Sequence, residues 1–235
     1  FELSLHMLKT FLRQHAPIFL LIVISLGVGW VSLPQYGISW DEPLYYNYAE
    51  HIRQAYTPQA FSPGFTFESV YGASAADHKY YGPAYLLLAS PFVRIWQSLA
   101  QLTYFQAWHW INFQFFQIGV LLLYLFLLRW MKPLPAALGS GFMALQPVFW
   151  GHAFINPKDA PFMVAILASI YAGYQLVDAA DRKHLLIWSA AFALLLGATT
   201  AMRVIGPVAG LVVLVFTLLK KDWGKILWLT AAGLA

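Results

Sequence analysis

Cysteine is absent from the 235-residue chain, which excludes disulfides, zinc–thiolate and iron–sulfur sites and thiol catalysis, and leaves the redox compartment unread. Charge is nearly as scarce. Asp, Glu, Lys and Arg make up 10% of the residues, against roughly 25% in a soluble domain. The net charge of +4 is small and the cations stand at the ends of apolar runs instead of forming one patch, so nucleic acid is not an expected partner. Repeats with a period of about 20–50 residues and low-complexity tracts are also missing, so residues 1–235 read as one integral unit.

What is abundant is apolar. Hydrophobic residues make up 60% of the chain and aromatics 17%, with 10 Trp, 13 Tyr and 18 Phe, a composition suited to lipid as solvent, with interfacial aromatic belts and an aromatic-lined cavity. The first apolar run, Ala16 to Leu33, approaches the roughly 20 residues that cross a bilayer core. It follows Lys9, Arg13 and His15 and lacks a convincing small-x-small cleavage site, so it reads as a span with a cytoplasmic N-terminus. Further spans are expected at Trp108–Leu128, Leu134–Phe149, Pro161–Val177, Leu185–Met202, Val204–Leu219 and from Ile226 onward. The fold class is therefore all-α, a polytopic transmembrane bundle of about seven spans. A start at Phe1 and an end inside an apolar run read as truncations of a longer protein.

Residues 34–104 read as a long first extracytoplasmic loop that carries half of the carboxylates. Two pieces of it read as interfacial helices. Pro43–Tyr56 places Leu44, Tyr48, Ile52 and Tyr56 on one stripe, with Glu50 and Arg53 off it. Tyr81–Leu102 is apolar, but Pro83, Pro91, Arg94 and Gln97 favour a membrane-surface or re-entrant helix over a span. With this topology Lys9, Arg13, Arg129, Lys132, Arg182, Lys183, Lys220, Lys221 and Lys225 lie on the cytoplasmic side, as the positive-inside rule requires. Arg53, Lys79, Arg94, Lys158 and Arg203 do not, and need another explanation.

That explanation is the candidate site. The topology brings four polar clusters to one face: Trp40-Asp41-Glu42, His78-Lys79-Tyr80-Tyr81, Asn156-Pro157-Lys158-Asp159, and Arg203. Charges beside apolar spans are costly unless they pair, bind a substrate or ion, or line a wet cavity. Asp41 can serve as general base on an acceptor hydroxyl, with Glu42 orienting the acceptor or a metal; capping of the helix that begins near Pro43 is the plainer role. Asp159 is a second carboxylate that can hold an acceptor or cation, or cap the span after it. Arg203 suits a phosphate whose lipid tail lies in the bilayer, or snorkels to the interface. Lys158, His78, Lys79, Tyr81 and Asn156 complete the candidate substrate-binding set. His152 reads as catalytic or merely interfacial. A divalent metal held by His78 with Asp41 or Asp159 is conceivable, although no ligand spacing supports it, and no organic cofactor is expected.

This pattern resembles the GT-C superfamily of integral-membrane glycosyltransferases. It is most similar to the protein O-mannosyltransferase and aminoarabinose-transferase group, the phospholipid-carrier-dependent glycosyltransferases, over nearly the whole chain. The stretch Gly151-His152-Ala153-Phe154-Ile155-Asn156-Pro157-Lys158-Asp159-Ala160-Pro161-Phe162 carries the likeness most specifically. The resemblance implies that Asp41 is the catalytic base, Asp159 the second acidic position and Arg203 the basic residue that meets the carrier phosphate; the family more often has Lys there. It further implies an inverting transfer of a sugar from a polyprenyl-phosphate carrier to a protein, lipid or glycan acceptor, on the extracytoplasmic face of what is expected to be a bacterial plasma membrane. Metal use varies within the superfamily. The readings from other classes are a transporter or flippase, which would place charges near the bilayer midplane and often shows paired repeats, and a scaffold without chemistry.

Overall fold

The computed structural model describes residues 2–66, 68, 80–221 and 223–234; of these, the side chains of residues 2–8, 227 and 234 are left aside. Among the described residues there are ten α-helices and no strand. They run α1 Glu2–Ser32, α2 Glu42–Ile52, α3 Ala84–Ala100, α4 Tyr104–Leu127, α5 Pro133–Leu145, α6 Pro147–Ile155, α7 Asp159–Asp178, α8 Arg182–Thr200, α9 Val208–Leu219 and α10 Trp223–Leu234.

The chain is an all-α membrane protein, and four of its segments are long and apolar enough to cross a bilayer: Lys9–Gln35, Tyr104–Leu127, Asp159–Asp178 and Arg182–Thr200. Two of the other expected spans come out shorter. The run Leu134–Phe149 is not one helix. Gln146 adopts an extended conformation before Pro147, as a residue preceding proline tends to, and the run divides into α5 and α6. Gln146 then caps the second piece, its Oε1 accepting from the backbone N–H of Val148 at 2.7 Å and Phe149 at 3.1 Å. The run Val204–Leu219 likewise yields only the 12-residue α9, because residues 201–207 turn around Gly206 and Pro207. The first interfacial segment starts at Glu42, and its helix tightens to a 3₁₀ turn after Ile52. Tyr56 lies in solvent and Leu44 is partly exposed, and the buried residues of α2 are Glu42, Tyr45, Tyr46, Tyr48, Ala49 and Ile52.

Helix α4 is the centre of the bundle and packs against α1, α3, α5, α6 and α7. Its start is fixed by a capping box in which Thr103 and Gln106 satisfy each other's backbone N–H. The buried face of α7 is small, with Ala160, Ala165, Ala168, Ser169, Ala172 and Gly173, which lets neighbouring backbones approach without a hydrophobic driving force from lipid. Ser169 and Thr199 share a hydrogen bond of 2.9 Å between α7 and α8.

Each end of the bundle is closed by ions. At one end Asp178 pairs with both Arg129 and Lys220, and Lys225 donates to the carbonyls of Val177 at 3.0 Å and Ala179 at 2.7 Å, satisfying the orphan carbonyls that end α7. At the other end Arg94 pairs with Glu50 at 3.5 Å, Lys158 with Asp41 and Arg203 with Asp159. Three of the five cations left over by the topology thus meet carboxylates.

That second end is held by one close crossing. Gly82 N–H donates to the Met202 carbonyl at 3.1 Å, and a methyl group at Gly82 would stand 1.7 Å from the Ala201 carbonyl oxygen. The loop before α3 therefore lies directly on the turn after α8. Gly82→Ala should lower stability by about 1–3 kcal/mol, read as a fall in melting temperature in detergent; an unchanged melting curve would mean that the crossing opens at no cost.

Candidate functional site

Asp41 ends the segment that links α1 to α2. It occupies the capping position before Glu42, yet its side chain makes no capping bond and reaches across the site to the Lys158 ammonium. Helix capping is therefore not what Asp41 does. Asp159 is the first residue of α7 and also makes no side-chain cap. Asn156 takes that role: its Oδ1 accepts from the backbone N–H of Lys158 at 3.1 Å and Asp159 at 2.8 Å. Its amide Nδ2 donates to Asp159 Oδ2 at 2.9 Å, and it lies 3.2 Å from His152 Nδ1. The segment Asn156-Pro157-Lys158-Asp159 is a turn whose asparagine aims both neighbouring charged residues.

Tyr81 sits between the two ion pairs. Lys158 Nζ and Arg203 Cζ each lie 5.2 Å from the centre of its ring, and Arg203 also lies 5.5 Å from that of Phe162. Cations over aromatic faces are held by the ring quadrupole, more strongly away from water. The Arg203 Nε is buried and has no acceptor. Tyr45 lies close enough to feel both Arg203 and Asp159, and burial pushes its phenol well above the usual tyrosine range, so it stays a neutral hydroxyl. An open cleft of about 340 Å³ is lined by Ser39, Trp40, Asp41, His152, Asn156 and Lys158. A smaller one of about 280 Å³ shares His152 and Asn156, reaches Asp159, and is otherwise walled by apolar side chains including Phe116, Val148, Phe149 and Met163.

Glu42 is not in this cleft. It is fully buried and faces the bundle, where His109 Nε2 lies 2.7 Å from its Oε1, the Tyr46 hydroxyl donates to the same oxygen at 3.0 Å, and the Ser39 N–H donates to Oε2 at 2.6 Å. The expectation that Glu42 orients an acceptor is corrected by this geometry: its two oxygens are spent on the protein. The network continues through Asn112, which donates to the Tyr46 hydroxyl at 3.1 Å and the Phe154 carbonyl at 2.9 Å and accepts from Tyr85 at 2.5 Å. It fastens α2, α3, α4 and α6 behind Asp41.

Of the expected site residues, the structure brings Asp41, Asp159, Lys158, Arg203, Tyr81 and Asn156 together and turns Glu42 inward, while His78 and Lys79 lie outside the described residues. Among the described residues no three His, Asp or Glu side chains converge as metal ligands. His109 and Asn112 went unnoticed in the sequence, although an ionisable residue inside an apolar helix is itself a signal. No protein-family model matches this chain, and no curated protein or solved structure is significantly similar to it.

Removing Glu42 leaves His109 and Tyr46 without their acceptor in a buried setting. Glu42→Ala is expected to cost about 3–5 kcal/mol and to lower the melting temperature far more than Asp41→Asn, both measured by scanning fluorimetry in detergent; equal effects would mean that Glu42 holds nothing.

Proposed function

We propose that this chain is an inverting glycosyltransferase of the GT-C type, moving a sugar from a polyprenyl-phosphate carrier to an acceptor hydroxyl on the extracytoplasmic face. The observation that carries the reading is the charge quartet Asp41, Lys158, Asp159 and Arg203 gathered from three separate chain segments around Tyr81, at the mouth of an apolar helical bundle. Two cations there suit a phosphate, and two carboxylates beside them suit the activation and holding of a hydroxyl. Charges gathered at one end of the bundle also fit chemistry at a membrane surface better than passage through its midplane.

In the reaction, the carrier phosphate meets Arg203 and Lys158 while its polyprenyl tail lies among the apolar walls near Phe149 and Met163. Asp41 accepts the proton of the acceptor hydroxyl as the oxygen attacks the anomeric carbon from the face opposite the phosphate. The bond from that carbon to the phosphate oxygen breaks, the sugar inverts, and polyprenyl phosphate leaves with its developing charge answered by the two cations. Asp159, aimed by the Asn156 amide, is the second carboxylate and holds the acceptor.

Purified protein in nanodiscs, given polyprenyl-phosphate sugars and a panel of hydroxyl acceptors, should form glycosylated product. Asp41→Asn should lower transfer by about 10²–10⁴-fold, whereas Arg203→Ala should weaken donor use by about 10- to 100-fold. Full activity in the Asp41→Asn protein would sink the assignment of the base.

A further inference from the structure

The quartet has an internal asymmetry. Its cations are sheltered, with the Lys158 side chain 13% exposed and that of Arg203 27%, while its acids face outward, Asp41 at 46% and Asp159 at 59%. Tyr81 and Phe162 hold the cations from within, so the carboxylates are the partners that can swing away into water. As they stand, both cations are spent on carboxylates. Asp41 is engaged as well, through one of its two oxygens: Oδ2 accepts from the Lys158 ammonium.

An anion entering the site must therefore take Lys158 and Arg203 away from the two carboxylates. We propose that the phosphate of the carrier and the carboxylates of Asp41 and Asp159 compete for the same two cations, so that a phosphate taking Lys158 frees the Asp41 oxygen that the lysine holds. This rests on the carrier-dependent reading and adds an order to it, donor first and acceptor second. Two ion pairs open, and the phosphate oxygens take up donors from the ammonium and from the guanidinium fork, including the buried Arg203 Nε, which has no acceptor.

The distinctive consequence is that removing an acid should improve the binding of an anionic lipid. The test is equilibrium binding of a short-chain polyprenyl phosphate, which carries no sugar and cannot turn over, to the protein in nanodiscs. The unphosphorylated polyprenol and inorganic phosphate serve as parallel probes. Asp41→Asn should tighten polyprenyl-phosphate binding about three- to tenfold, and Asp159→Asn should act in the same direction. Lys158→Met and Arg203→Met should weaken it. The gain from Asp41→Asn should vanish in the Lys158→Met background, because it works by freeing that lysine. Inorganic phosphate should rank the variants in the same order at lower affinity, and the polyprenol should not discriminate among them.

Unchanged or weaker binding by Asp41→Asn, with Lys158→Met still weakened, would overturn the exchange while leaving the carrier site in place. A gain that persists in the Lys158→Met background would overturn it too, since it would reflect only the loss of a nearby negative charge. Absence of binding by wild-type protein that melts cooperatively would overturn the carrier reading itself, and the exchange with it.

Discussion

Lipid cannot answer a charge or a backbone polar group, and most of this structure follows from that constraint. Among the described residues, ion pairs at the ends of the bundle join separate segments of the chain. Asp178 answers Arg129 and Lys220, and Lys225 answers the carbonyls that end α7. Glu42, deeper still, is surrounded by donors. The same requirement joins Asp41 to Lys158 and Asp159 to Arg203. What separates the last two pairs from the rest is their setting: Asp41 and Lys158 line one open cleft and Asp159 another, whereas the partners at the opposite end bind helix termini to one another.

Helices α2 and α3 are scaffolding for this arrangement. The face of α2 that carries Tyr45, Tyr46, Tyr48 and Ala49 is buried against α3 and α4, and Tyr46 stacks on Trp108 at 4.4 Å between ring centres. Tyr48 donates to the Tyr81 carbonyl at 3.2 Å, so the helix that follows Asp41 also positions the ring between the cations. The catalytic candidate and the aromatic platform are held by one element.

Periodicity and composition made the helical class and the boundaries of α4, α7 and α8 legible to within a few residues, because long uninterrupted apolar runs leave little choice. They failed where a local backbone preference overrode an apolar run, at Gln146-Pro147 and around Gly206-Pro207, where the chain turns although every neighbour is hydrophobic. Within the site, the meeting of Asp41, Asp159, Lys158 and Arg203 at one face could be read from topology alone. Which acid meets which base could not, since it depends on Asn156 aiming the turn and on Tyr81 being lowered onto the residue 201–203 segment. The separate fates of Asp41 and Glu42 were also hidden. Adjacent residues at the start of a helix point about 100° apart, and only the placement of His109 on α4 decides which of the two turns inward.

The crossing of Gly82 over Ala201 bears on how relatives of this chain are to be recognised. The glycine is required by two backbones in contact, a demand of packing that a catalytically silent descendant with the same helical layout would still have to meet. Asp41, Lys158, Asp159 and Arg203 answer to no such demand individually, since their pairs could be replaced by apolar side chains of similar volume. A Tyr-Gly-Pro segment in another protein thus speaks to the same backbone crossing, while the intact set of four charges speaks to the same polar cluster, and a search that scores them together would mistake one for the other.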